Sequence, residues 1–199
     1  MGDNDDELLA LSSIYQDELT LDSDGRSGLL TLLVAPTSPV TIVASDREDS
    51  VHFLPPVKFT FSTSEGYPQS SPPDVALECP WLSSAQLETL ENEIKALWIG
   101  ELCLFSMIDE LSERAKEAFG INFLTLSSED FDSLVSFSEA EQIREFNHFV
   151  YFCEICQEHK KGIECFKLRR CGHVSCKVRL FWLREFTLGM FERLLWDVY

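Results

Sequence analysis

The 199-residue chain predicts an α+β fold: a four-stranded antiparallel meander covered by helices, followed by a linker and a small, incomplete zinc-type module. Three observations carry this reading. Apolar residues recur at helical spacing at both ends of the first 120 residues, and four short apolar or β-branched runs separated by turn residues lie between them. Five of the seven cysteines, Cys153, Cys156, Cys165, Cys171 and Cys176, crowd beside His173.

The elements follow in order. Asp3 or Asn4 serves as N-cap, Asp5, Asp6 and Glu7 fill the first turn, and Leu8, Leu11, Ile14 and Tyr15 form the apolar stripe of a first helix. Residues 29–34 and 40–44 read as consecutive antiparallel strands joined across Pro36 and Pro39. Residues 57–61 alternate with period two, and 75–77 make a fourth strand after a Pro-rich loop. Ser83 and Gln86 form a capping box for a helix with Leu87, Leu90, Ile94, Leu97 and Trp98 on one face, ending near Gly100. A last helix carries Leu104, Ile108, Leu111, Ala115 and Phe119, with Gly120 as its C′ residue.

Composition narrows the class. With 45% hydrophobic and 12% aromatic residues a packed core is possible, but the formal net charge is −18. Residues 1–150 carry seven basic against twenty-eight acidic side chains, whereas 151–199 carry nine against six. The acidic part repels phosphate backbones and anionic lipid, which disfavours nucleic-acid or membrane binding there. The amino terminus lacks the basic and apolar regions of a signal peptide, and no run of 18 apolar residues occurs, so export and membrane spanning are disfavoured. Asp6 stands where a myristoylation motif wants Ser or Thr. Clustered Cys in such a chain reads as metal-binding, not disulfide-bonded.

Four segments, Glu7-Leu-Leu-Ala-Leu-Ser-Ser-Ile-Tyr15, Phe53-Leu-Pro-Pro56, Tyr67-Pro-Gln-Ser-Ser-Pro-Pro73 and Trp81-Leu-Ser, resemble an RWD domain over residues 1–120. Tyr67-Pro68 and Pro72-Pro73, with three residues between them, match that family's signature. The resemblance implies a fold like that of ubiquitin-conjugating enzymes without the catalytic cysteine, and a role in protein docking. Physically, prolines stiffen this loop and withdraw amide donors, and Tyr67 can anchor it. The motif serves architecture or touches a partner directly. Cys79 and Cys103 have no His close in sequence and read as small core residues, with a catalytic role as the alternative.

Residues 121–150 read as an acidic connector. Ser127-Ser-Glu-Asp-Phe-Asp-Ser-Leu134 suggests a partly ordered segment, and Ser138 with Glu141 suggests a second capping box opening a short helix with Ile143, Phe146 and Phe149. That helix packs against the next module; Phe131, Leu134, Val135 and Phe137 are an alternative interaction motif.

In residues 151–177, Cys153-x2-Cys156 is followed after fourteen residues by Cys171-x-His173-x2-Cys176. A Cys-x2-Cys turn aims two sulfurs at one tetrahedral zinc, and a second knuckle must complete the set. The order is similar to the first five ligands of a RING domain. The cross-braced pattern then implies Cys153, Cys156 and Cys176 for one site and Cys171 and His173 for the other. Position 179, expected to hold the sixth ligand, is Arg179, which offers no lone pair, and no Cys or His follows Cys176. His159 is a candidate substitute, and Cys165 reads as a buried thiol. At most one four-coordinate site is expected, with weak zinc binding and poor order in 151–199.

Taken together, residues 5–177 resemble the amino-terminal part of RWD-containing RING-between-RING ubiquitin ligases. In that family the first RING recruits the ubiquitin-conjugating enzyme, Ile155 matches the apolar contact position, and a cysteine in a later domain accepts ubiquitin. The resemblance implies zinc as cofactor, a conjugating enzyme and an RWD-docked protein as partners, and cytoplasmic and nuclear residence. The chain alone is expected to lack ubiquitin-transfer activity. A rival reading is a stand-alone RWD adaptor or competitive inhibitor. Residues 178–199 lose the family pattern at Lys177-Val178-Arg179, whose codons can contain an intron boundary; they read as translated intron, or as a selected amphipathic tail.

Overall fold

The computed structural model describes residues 3–168 and 172–177. Cys171, Arg179 and the tail 178–199 lie outside the described residues. The chain divides into two units, Met1–Ser138 and Glu139–Tyr199.

The first unit opens with helix α1 (Asp3–Ile14), then strands β1 (Leu19–Leu21), β2 (Ser27–Val34), β3 (Val40–Ala44), β4 (Arg47–Val51), β5 (Leu54–Ser62) and β6 (Asp74–Glu78). Helices α2 (Ser84–Lys95) and α3 (Leu104–Ala115), strand β7 (Phe123–Thr125) and residues 128–138 of helix α4 (Ser128–His148) follow; the rest of α4 belongs to the second unit. The main sheet is antiparallel with order β1-β2-β5-β6. A four-stranded antiparallel sheet is thus present, but its membership differs from the sequence reading. Residues 40–44 do not pair with 29–34. They form a hairpin with β4 and a parallel pair with β7, making a second sheet of order β4-β3-β7. The Arg-Glu-Asp-Ser-Val sequence of β4 carries no apolar alternation because only Val51 of the strand is buried, and its charges suit an edge.

Core residues follow the two periodicities. Val57, Phe59 and Phe61 of β5 and Val75 and Leu77 of β6 are buried, with the residues between them exposed. Gly28 of β2 sits opposite Phe61, and a Cβ there would come within 2.7 Å of its ring. Leu90 and Ile94 of α2, and Leu104, Met107, Ile108, Leu111 and Ala115 of α3, complete the core. The capping box at Ser83 and Gln86 is present. Two details differ: Ile14 is exposed on α1, and α3 stops at Ala115, so Phe119 lies past the helix at φ 54° and Gly120 is not its C′ residue.

Residues 121–150, read as a partly ordered acidic connector ending in a short helix, hold strand β7 and the 21-residue helix α4. Ser127 Oγ accepts the Asp130 N–H at 3.1 Å, so the Ser-rich acidic stretch caps α4. Phe131 and Leu134 join the first unit's core, the Arg47 guanidinium lies 4.4 Å over the Phe131 ring, and it pairs with Asp132 at 2.6 Å. Ser138, read as a cap, is inside α4 and buried. Its hydroxyl accepts the His52 and Phe53 N–H groups at 3.1 and 3.2 Å, because donors brought by the fold replace the local ones.

The second unit has strands β8 (Val150–Cys153), β9 (Glu158–Lys161), β10 (Cys165–Lys167) and β11 (Val174–Cys176), paired as two antiparallel hairpins. Among the described residues of this unit, Cys153, Cys165 and Cys176 form a buried cluster, with Phe146, Cys156 and Val174 against it.

If residues 128–138 belong to the first unit's core, Phe131→Ala and Leu134→Ala should each destabilise that unit by about 2–5 kcal/mol in urea unfolding. Midpoints equal to wild type would return this segment to the status of a connector.

Candidate functional site

Two places concentrate the chemistry. In the first unit, α3 begins after Cys103, which makes no side-chain capping bond. Its first amides have no partner within the helix, carry partial positive charge and need an acceptor. The Glu7 carboxylate, supplied by α1, accepts the Leu104 N–H at 2.9 Å. Tyr67, 5% exposed, donates its hydroxyl to the other Glu7 oxygen at 2.8 Å and accepts the Cys103 N–H at 2.9 Å. The residue that opens the α1 motif and the tyrosine that opens the Pro-rich motif are therefore direct partners. Glu7 reads from sequence as a first-turn acid of its own helix, and no local signal shows that it caps another.

The loop from Tyr67 to Pro73 is held on further sides. Gly66 O accepts the Ser70 and Ser71 N–H groups, and Pro68 O accepts the Trp98 indole N–H at 2.8 Å. Pro68 and Pro73 are buried, while Pro72 faces solvent. Trp81 donates its indole N–H to Pro55 O at 2.8 Å, tying the other Pro-Pro segment. Burial raises the Tyr67 phenol above its ordinary value of 10.0, against the Cys103 amide and reinforced by Glu7. Burial also raises the Cys79 and Cys103 thiols, and both side chains lie in the core.

In the second unit, Cys153, Cys156 and Cys176 converge: their Sγ atoms lie within 4.8 Å of one another, and Cys156 Sγ to Cys176 Sγ is 3.7 Å. Zinc–sulfur bonds of about 2.3 Å at a tetrahedral angle require an edge of about 3.8 Å, so the trio fits zinc. Burial opposes ionisation of Cys153, but amides of Cys176, Cys156 and Ile155 outweigh it and hold that thiol down at about 6. Burial and the neighbouring thiols push Cys156 up. Ile155, on the turn between β8 and β9, exposes 46% of its surface.

The other candidate ligands among the described residues are not in this group. His159 is the ladder partner of Phe152, one residue from Cys153, so its side chain leaves on the opposite face, against the Phe152 ring at 5.3 Å. His173 is exposed, just before β11, and is not in the converged group. Cys165 stands opposite Cys176 in the ladder as a buried thiol raised by burial.

The family model of the RWD domain matches residues 3–115. The chain belongs to the RWD family. This RWD chain is 30% identical over 204 residues to the E3 ubiquitin-protein ligase itt1 of Schizosaccharomyces pombe, covering 95% of this chain and 46% of that protein. It is 26% identical to the E3 ubiquitin-protein ligase RNF14 of Danio rerio over 220 residues, 87% of this chain and 48% of the relative. The RNF14 of Homo sapiens matches at 26% over 238 residues, 88% and 50% of the two chains. The RWD chain spans about half the length of the curated relatives it matches. No described helix is long and apolar enough to cross a membrane.

Removing the Tyr67 hydroxyl leaves the buried Cys103 N–H without its acceptor. Tyr67→Phe should therefore cost about 1–3 kcal/mol in denaturant unfolding. A phenol whose folded value exceeds its unfolded value contributes stability that is complete below about pH 10 and lost as pH rises past it. Wild type should lose stability above pH 10, and Tyr67→Phe should flatten that decline; parallel alkaline curves for the two would contradict the assignment.

Proposed function

We propose that this chain is the amino-terminal part of a RING-between-RING ubiquitin-protein ligase, in which the RWD unit docks a protein partner and the Cys-rich unit engages a ubiquitin-conjugating enzyme. The observation that carries the reading is the conjunction of an RWD domain and a converged Cys trio in a chain similar, along most of its length, to proteins named as ubiquitin ligases. Zinc is the metal proposed for Cys153, Cys156 and Cys176, where it would fix the turn between the first two ligands and so supply folding energy to the unit. Ile155 is proposed as the contact: its amide is pinned by the Cys153 sulfur while its side chain stays in solvent, which lowers the entropic cost of presenting it. The thiols of Cys79 and Cys103 are poor nucleophiles, being buried and pushed up, so ubiquitin transfer is not assigned to the RWD unit.

The test is binding of zinc-loaded chain to a panel of ubiquitin-conjugating enzymes by titration calorimetry. At least one should bind, Ile155→Ala should weaken it about tenfold or more, and a zinc chelator should abolish it while the first unit's melting is unchanged. Absence of binding across the panel, or binding indifferent to Ile155→Ala, would defeat the proposal.

A further inference from the structure

We infer that the groove between α2 and the turn after α3, in the first unit, takes an extended segment of a partner protein that carries an apolar side chain and an Arg or Lys within three residues. The inference rests on the reading that the RWD unit docks a protein, and adds where it does so and what it accepts. The groove encloses about 520 Å³, within the range of roughly 300–1,000 Å³ usual for pre-formed ligand sites. Its floor is Leu82 and Leu90, both buried, with the half-buried Phe119 beside them. Gln86, Thr89 and Glu93 of α2, all exposed, run along one side, and Arg114 and Glu117 line the other. From Gln86 to Glu93 the helix rises about 10 Å, the span of about three extended residues.

The turn that closes the groove departs from ordinary backbone. Ala118, Phe119 and Gly120 have φ of 48°, 54° and 78°, and consecutive left-handed residues are disfavoured wherever a Cβ is present. Burial of Ala118 holds the turn, as do the bonds of the Gly120 and Ile121 N–H groups to Glu117 O and Ala118 O, each 2.9 Å. Its result is to lay the Phe119 ring 5.8 Å from that of Trp81 and into the groove's lining. Strain of this kind persists at ligand clamps and other sites that use it. Charge gives the partner its sign. The first unit has six basic against twenty-five acidic side chains, and each of the six is in an ion pair with a carboxylate. At the groove, Arg114 is shared by Glu93 and Glu110 and Lys116 pairs with Glu113, so the rim keeps surplus carboxylate, Glu117 included. An Arg or Lys beside the apolar anchor complements that rim, and an acidic segment is repelled by it.

The experiment is selection from a random displayed-peptide library on the immobilised 199-residue chain, followed by fluorescence anisotropy of the enriched peptides. They should share an apolar residue and an Arg or Lys within three positions, and their affinity should fall as salt rises. Thr89→Trp fills the groove from an exposed helix position and should weaken binding about tenfold or more, as should Glu117→Lys. Glu88→Lys makes the same charge change on α2 outside the groove's lining and should leave affinity within about twofold. All three variants should melt like wild type, and the peptides should shift the Thr89 and Glu93 amides in NMR spectra of the wild-type chain. Enriched peptides without the apolar–basic pair, amides of Thr89 and Glu93 that do not move, or equal losses in Glu88→Lys and Glu117→Lys would overturn the inference. So would a dimer of the chain that Thr89→Trp breaks, which would give the groove to a second copy. Peptides that shift other amides of the first unit and withstand Thr89→Trp would sink the groove alone; a library that enriches nothing would sink the docking reading with it.

Discussion

Three distant parts of the first unit meet at the Glu7 carboxylate: α1, the loop before β6 and the start of α3. Helix α3 supplies five buried side chains to the core, yet it begins at a cysteine that cannot cap it. A carboxylate brought from 97 residues away does so, and it is oriented by the hydroxyl of Tyr67. Charge-assisted bonds of this kind are stronger than neutral ones, and partial burial reduces their screening by salt. Because Tyr67 also takes the Cys103 amide, neither side chain can leave without stranding a donor near the core. The Pro-rich loop is consequently fixed by hydrogen bonds at its first residue, its second residue and its Gly66 hinge. Stiffness in that loop is a property of the tie as much as of its prolines.

The same logic governs where the first unit ends. Strand β7 adds to the hairpin sheet and α4 delivers Phe131, Leu134 and Ser138, each filling a need created earlier in the chain. Arg47, one of few cations in an acidic unit, is held between Phe131 and Asp132, a placement that offsets part of the local excess of negative charge.

Legibility in the sequence tracked how local each cause is. The α2 capping box, the buried stripe of α3 and the alternation of β5 depend on residues a few positions apart, and each is visible as spacing. The Cys-x2-Cys turn is likewise local, so Cys153 and Cys156 are readable without a structure. Cys176 is assigned to the same site by the RING-like order of ligands, and its amide donates to the Cys153 sulfur at 3.3 Å, whereas His159 is excluded by the face on which it leaves its strand, which spacing does not show. Strand β4 escaped notice because an edge strand with one buried residue has no apolar pattern. Ser138 misled because the residue types of a capping box are also those that accept bonds from a neighbouring loop. Glu7 was hidden most completely, since its partners lie in two other parts of the chain.

The Glu7 tie is what holds the Tyr67–Pro73 loop and the start of α3 in one arrangement in the RWD unit. Amide hydrogen exchange by NMR on wild type and Glu7→Ala tests that claim most directly. The account predicts that the Leu104 amide loses its protection in the variant and that Cys103 follows as Tyr67 is released. The Met107 amide, bonded to Cys103 O inside the helix, should keep its own. Unchanged protection at Leu104 would mean that something other than Glu7 caps α3, and the account of this fold would be wrong at its centre.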